Sequence, residues 1–405
     1  MRLGIPMTPR VWHNARLDFG TSCLVSLFTV VMNQFFMPFA IQQGASNLQV
    51  GLLSAAPAIG LIFSPLWAVW IEKSRSPRPF VVLPNAIGRL LLVGPALYPQ
   101  PSVYVATAIV YQLLMGIQSP AYASLVSRMY PSDVRGRLMG YVRMAMGAFM
   151  IPLAYLVGSW SDAAGPSGPL IAAAVTGTAA IALFQWLRLP KHAAPGSAAS
   201  NRFSLRDQWA LVSGNKTLAV FLLATTFSGF GNMLANPLYQ IIQVDVLGLS
   251  NTQIGYARIA YFTGLLLTYG LAGRFIDRFD IRYTLTVGIG AYGVVPLLYG
   301  LWGTYPAVVL GNGIQGVGEA IWDIGILSYI VRLAPGREAT VFGIHLMMFG
   351  VRGTLGPLLG ASLSSHVPLP GLLVLAGACG FAGTALFMLS SRRRRQPGLS
   401  RDLGA

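Results

Sequence analysis

Charge is what this sequence most lacks. Of its 405 residues only 10% are Asp, Glu, Lys or Arg, against about 25% in an ordinary soluble domain, too few to cover a folded surface in water. Acidic residues are scarcer still: 12 Asp and Glu against 28 Lys and Arg leave a formal net charge of +16. The two cysteines, Cys23 and Cys379, both fall in apolar stretches, which excludes a disulfide framework and a Cys-based metal site. No phosphate-binding Walker pattern occurs, so ATP is not the direct source of energy. The three longest polar pieces, 1–18, 189–216 and 391–405, are each shorter than the roughly 40 residues below which a domain seldom folds alone. An appended soluble enzyme is therefore excluded, and no catalytic site, metal or cofactor is expected. Glycine (46) and proline (26) are abundant but scattered through apolar stretches, which fits neither collagen nor low-complexity disorder.

What is present is hydrophobic, 54% of the chain. A membrane-spanning helix needs about 20 apolar residues. Twelve such runs fall near 19–43, 49–71, 79–98, 102–127, 137–160, 169–187, 217–245, 251–273, 283–302, 305–331, 339–362 and 370–390. They predict an all-α, multi-pass membrane protein. The first run is too long for a signal peptide and is read as retained.

The positive charge marks topology. Twenty-four of the 28 Lys and Arg residues lie at the termini, in 189–216 and on the alternate loops continuous with them. The intervening loops carry none. Basic loops stay in the cytoplasm, so both termini and 189–216 are expected there, in a plasma (inner) membrane. Arg392 to Arg395 suit anionic lipid head groups of the bilayer rather than nucleic acid. The other four arginines, Arg89, Arg143, Arg258 and Arg352, fall within predicted spans.

The chain repeats itself. Gly44-Ala-Ser-Asn-Leu-Gln-Val-Gly51 recurs 204 residues later as Gly248-Leu-Ser-Asn-Thr-Gln-Ile-Gly255. In each copy Ser (Ser46, Ser250) precedes Gln (Gln49, Gln253) by three, a capping box that starts the second and eighth spans. Ser124, Arg128 and Pro131 match Ser328, Arg332 and Pro335, and Asn33 and Pro38 recur as Asn232 and Pro237. The expected domains are two parallel six-helix halves, 1–188 and 217–390. Between them lies a cytoplasmic linker, 189–216, with a short interfacial helix over 204–211; a basic tail, 391–405, follows. Parallel repeats of this kind put the binding site at the interface between halves, near the midplane.

Motifs narrow the class. Between spans eight and nine stands Gly273-Arg-Phe-Ile-Asp277-Arg278-Phe-Asp-Ile-Arg282; the matching loop of the first half is Ala68-Val-Trp-Ile-Glu72-Lys73-Ser-Arg75. Pro131-Ser-Asp-Val-Arg135-Gly-Arg137 precedes span five, and Gly353-Thr-Leu-Gly356-Pro357-Leu-Leu-Gly360 lies in span eleven. With twelve spans in a 6 + 6 arrangement, these motifs make the chain resemble the major facilitator superfamily. The departures are that the first-half loop lacks the glycine and aspartate, and that the Gly-Pro motif of drug antiporters belongs in span five. The resemblance implies the twelve-helix major facilitator fold, with helices one, four, seven and ten lining a central cavity.

Gly273 lets helix eight approach its neighbour closely, so Asp277 can meet the positive start of helix five near Arg135 and Arg137. With Arg278, Arg282, Glu72 and Lys73, this forms the expected cytoplasmic gate. Gly356 and Pro357 are expected to permit bending at the seam between halves.

An ionisable group inside a membrane costs at least about 2.5–3.5 kcal/mol and marks a pathway or a partner. Glu319 and Asp323, four apart on span ten, share a face and form the candidate proton carrier, with Arg352 as counter-charge. The same residues could instead form a static bridge between spans ten and eleven. Arg258 is suited to grip an anionic group. Asn33, Gln118, Tyr122, Asn232, Asn236 and Trp322 add polar and stacking groups on the implied cavity helices. The expected function is a secondary transporter of a small organic solute, working by alternating access, coupled to protons and acting as a monomer. A drug or metabolite efflux carrier and a non-transporting receptor on the same fold remain the alternatives.

Overall fold

The computed structural model describes residues 8–64, 67, 70, 71, 74, 76–188, 205–278, 281–333 and 338–392; the described side chains exclude, among others, those of 205–209 and 271–278. Glu72, Lys73, Gly273, Asp277 and Arg278 of the expected gate lie outside these side chains. No strand occurs among the described residues. The long helices are α1 (Pro9–Gln42), α2 (Asn47–Ile62), α3 (Arg78–Leu97), α4 (Pro101–Met129), α5 (Ser132–Ala164), α6 (Ser167–Trp186), α7 (Lys216–Val246), α8 (Asn251–Arg278), α9 (Ile281–Trp302), α10 (Tyr305–Leu333), α11 (Glu338–Leu363) and α12 (Leu369–Arg392). The expected interfacial piece is a helix, Leu205–Gly214, just before α7.

Nine of these helices are long and apolar enough to cross a bilayer. α2 is shorter among the described residues. α8 and α10 carry the polar groups Arg258, Tyr261 and Tyr269, and Gln315, Glu319 and Asp323, which lower their hydropathy. A helix wrapped by other helices can carry such groups because its polar face never meets lipid.

Helix starts follow from local chemistry. Ser46 and Gln49 make both bonds of a capping box, the Ser46 N–H donating to Gln49 Oε1 at 2.9 Å and the Gln49 N–H to Ser46 Oγ at 3.4 Å. Ser250 and Gln253 do the same at 2.9 and 3.2 Å. In α1 a π-helical turn, Val31–Phe35, precedes Pro38. Proline has no N–H to donate to the carbonyl four residues back, and such turns mark functional positions.

Helices α1–α6 pack chiefly on one another, as do α7–α12; the two groups meet mainly along α5–α8 and α2–α11. Those seams tighten toward the end bearing the arginine-free loops. Gly158 abuts the Asn251 backbone so closely that a Cβ would stand 2.5 Å from its carbonyl oxygen, and Gly51 meets Ala361 in the same way. Asp162 of α5 accepts from the N–H groups of Asn251 and Thr252, both at 2.8 Å, and from Thr252 Oγ1 at 2.6 Å. It thereby caps α8 from the opposite half. Gln42 donates to Asn251 Oδ1 at 3.0 Å, Asn47 to Ser364 Oγ at 2.8 Å, and Ser54 to Asn236 Oδ1 at 3.0 Å. Farther along α5 and α8, Gly147 meets Leu266, whereas a Cβ on Gly140 or Gly270 would meet nothing within 4 Å. The halves are therefore joined at the end bearing the arginine-free loops.

Candidate functional site

Between the halves lie two adjoining cavities that share Asn33, Met37 and Asn236. The one nearer the joined end, about 160 Å³, is polar: Gln34 of α1, Gln240 and Gln243 of α7, Arg258 and Tyr261 of α8, Tyr299 of α9 and Gln315 of α10 line it. The other, about 360 Å³, is amphipathic. Met32, Phe36, Met233 and Phe349 line it alongside Ser54, Gln112 and Glu319.

Arg258 organises the polar cavity. It is 6% exposed. Its Nη1 donates to Asn312 Oδ1 at 2.6 Å, and Nη2 donates to Gln240 Oε1 at 3.0 Å and Gln243 Oε1 at 3.3 Å. The amides cannot turn around freely, because Gln243 Nε2 and Asn312 Nδ2 each donate to the Tyr299 hydroxyl at 3.0 Å. Their carbonyls consequently face the guanidinium. Arg258 Nε has no hydrogen-bond partner. Its charged neighbours include no carboxylate among the described residues. A cation solvated only by neutral carbonyls leaves the cavity positive, and its unpartnered Nε–H remains to donate.

The carboxylates take a different place. Glu319 sits at the midpoint of α10, half-buried, on the wall of the amphipathic cavity. Asp323, one turn on, is exposed and accepts from the Tyr269 hydroxyl at 2.5 Å. Tyr261 of α8 and Tyr292 of α9 are within electrostatic reach of both. Arg352 does not pair with either acid. It is buried on α11, donates Nη1 to the Thr225 carbonyl of α7, and lies 5.7 Å over the Phe349 ring. A Cβ on Gly229 would stand 2.6 Å from its Cζ. The static bridge between α10 and α11 is likewise absent. The reason is local: Gly229 opens a slot on α7 where the guanidinium finds a backbone carbonyl.

Arg89 is also held within one half, donating to the Gly177 carbonyl at 3.0 Å beneath Phe28. Of the other sequence candidates, Asn33 and Asn236 line both cavities, whereas Gln118, Asn232 and Trp322 line neither. Trp322 packs on Tyr292 and His345 instead. Tyr122 turns toward Asp18, a residue the sequence reading left in the N-terminal polar piece. Asp18 is 1% exposed and accepts from the Tyr130 hydroxyl at 2.9 Å and the Tyr122 hydroxyl at 3.5 Å. Asn14, Asp18 and Thr21 are all buried, and their spacing of four and three was the signal for a polar helical stripe. Asn312 and Gln243 were missed although each extends such a stripe, Gln243 three residues after Gln240 and Asn312 three before Gln315.

Of the expected gate, Arg135 donates Nη2 to the Tyr130 carbonyl at 3.1 Å. Arg137 is exposed and Arg282 half-buried. Gly356 backs onto Met233 and Leu234 of α7, within its own half. Pro357 lies within a single assigned helix and turns its carbonyl toward Gly51 across the seam.

The sequence profile of the Major Facilitator Superfamily matches residues 19–228 and again 221–404. The chain belongs to the major facilitator superfamily. It is 24% identical to the staphyloferrin B transporter of Staphylococcus aureus (strain NCTC 8325 / PS 47) over 388 residues, covering 92% of this chain and 89% of that protein. Over 176 residues, 42% of this chain and 33% of that protein, it is 31% identical to puromycin resistance protein pur8 of Streptomyces alboniger. A solved structure of a variant of the nucleoside transporter NupG superposes with a TM-score of 0.73 at 14% identity, covering 93% of this chain and 98% of that one. This major facilitator protein is therefore a multi-pass membrane protein of a transporter family acting on small molecules, and not an enzyme.

Proposed function

We propose that this facilitator moves a small organic anion with an amphiphilic body by alternating access, coupled to protons. The observation that carries the reading is Arg258: buried, without a carboxylate neighbour among the described residues, and facing a cavity between the two halves. The anionic group sits at Arg258 among the fixed amides, and the body of the solute extends past Asn33 and Asn236 into the methionine- and phenylalanine-lined chamber. Glu319 carries the proton there, so loading the anion and protonating the wall offset each other's charge. By the charge of its loops, the joined end lies on the side away from the cytoplasm. Likeness to a staphyloferrin B transporter across most of the chain is in keeping with an organic solute.

A second reading, efflux of apolar drugs, is favoured by Met32, Phe36, Met233 and Phe349 alone. Proteoliposomes separate the two. Counterflow of organic carboxylates that persists in Glu319→Gln while accumulation driven by a pH gradient disappears supports proton-coupled anion transport. Transport confined to uncharged or cationic amphiphiles and indifferent to Arg258→Gln supports efflux and overturns the anion reading.

A further inference from the structure

Among the described residues the helices relax into π-helical turns at three places: Val31–Phe35 in α1, Ile242–Val246 in α7 and Leu298–Trp302 in α9. Each turn supplies the polar cavity, the first with Asn33 and Gln34, the second with Gln243, the third with Tyr299. Such turns are rare and concentrate where a helix serves function. The hydrogen bonds around this cavity are spent unevenly. Arg258 takes the carbonyl oxygens of Gln240, Gln243 and Asn312, and Ser54 Oγ takes that of Asn236. The Tyr299 oxygen accepts from both Gln243 and Asn312, so its two lone pairs are used and its own proton is left to donate. Beside it stands Tyr239 of α7, 3% exposed and lining the same cavity, the two rings 4.5 Å apart. The Tyr239 hydroxyl has no hydrogen-bond partner among the described residues, and neither has Arg258 Nε. A buried donor left unpaired costs stability, and native proteins keep few of them. Two at one cavity of about 160 Å³ mark a place where a ligand completes the bonding.

We propose that Tyr239 is a specificity-determining residue of this cavity. Its hydroxyl donates to the bound anion alongside Arg258 Nε–H, and the Tyr299 proton supplies a further donor. Three hydrogens, with no spare carbonyl among these groups and their partners, select the chemical class of the head. It is a fully deprotonated oxyanion such as a carboxylate, whose oxygens only accept. A primary amide or a protonated acid brings its own hydrogen to a place already filled with donors. This rests on the reading that an anion sits at Arg258, and it names the neutral groups that choose which anion.

Tyr239→Phe keeps the ring and removes only the hydroxyl, and two readouts on purified protein test its role. The first is the melting temperature without ligand. It should not fall in Tyr239→Phe, because no bond inside the protein is lost. It should fall in Tyr299→Phe, since Gln243 and Asn312 lose their shared acceptor. The second is isothermal titration at neutral pH with phenylacetate, octanoate and glutarate, each beside its primary amide. Affinity for a carboxylate that binds should drop about tenfold or more in Tyr239→Phe, as loss of a hydrogen bond to a charged group predicts, with the amide unchanged. A lower melting temperature for ligand-free Tyr239→Phe overturns the proposal, because the hydroxyl would then be bonded within the protein. So does a loss of affinity shared equally by carboxylate and amide. Full carboxylate affinity in Tyr239→Phe, lost in Arg258→Gln, overturns the role of Tyr239 and leaves the anion reading standing. Carboxylate binding that is absent, or that survives Arg258→Gln, sinks the anion reading and this role with it.

Discussion

At the scale of single residues, the central feature is a guanidinium whose charge is met only by amide carbonyls. Charged hydrogen bonds are each worth about 1.5–3 kcal/mol. Arg258→Gln should therefore weaken binding of an anionic ligand by about 10- to 100-fold, read by isothermal titration calorimetry, while leaving the helical circular dichroism spectrum unchanged. Arg352 predicts something different. Gly229→Ala would drive a methyl into the guanidinium, an overpacking that costs about 1–3 kcal/mol. The melting temperature should fall, and affinity should change far less than in Arg258→Gln. Equal losses of affinity in the two variants would mean that Arg352 touches cargo as well. The sequence made the membrane arginines legible, because each is conspicuous in an apolar run. It could not tell which would face a void and which a backbone carbonyl, since for Arg352 that depends on Gly229, far away in the chain.

At the scale of elements, the repeated Ser-x-x-Gln boxes were legible to the residue, since a capping bond closes within one turn. The extent of α1 was not. Its polar residues Asn14 and Asp18 face α4 and α6, so they are buried where hydropathy predicts water. Asn14 exchanges two bonds with the Arg188 backbone at 3.0 and 2.9 Å, and Asp18 is held by α4. Nor was the cap that Asp162 places on α8, because it joins residues 89 positions apart. Removing that cap should cost about 1 kcal/mol. Asp162→Ala is expected to loosen the joined end as well as lower the melting temperature. Electron-spin distances between labels at the exposed Ala163 and Val246 should broaden toward longer values; an unchanged distribution would show that the cap does not help hold the halves together.

At the scale of the whole molecule, duplication explains both what could be read and what could not. Two matched halves predict a seam and a cavity, and two cavities lie between the halves. The two cavities are lined unequally: Arg258, Gln315 and Glu319 come from the second half, while the first half supplies Asn33, Gln34 and the apolar wall of Met32 and Phe36. Such asymmetry suits a carrier in which one half grips and the other encloses.

The most direct test of this account is binding to purified protein of paired ligands, each an organic carboxylate and its neutral amide counterpart, followed by thermal stabilisation. The account predicts that at least one carboxylate raises the melting temperature, that its amide does not, and that Arg258→Gln abolishes the difference. Stabilisation by the amides to the same degree, or by carboxylates equally well in Arg258→Gln, would contradict it.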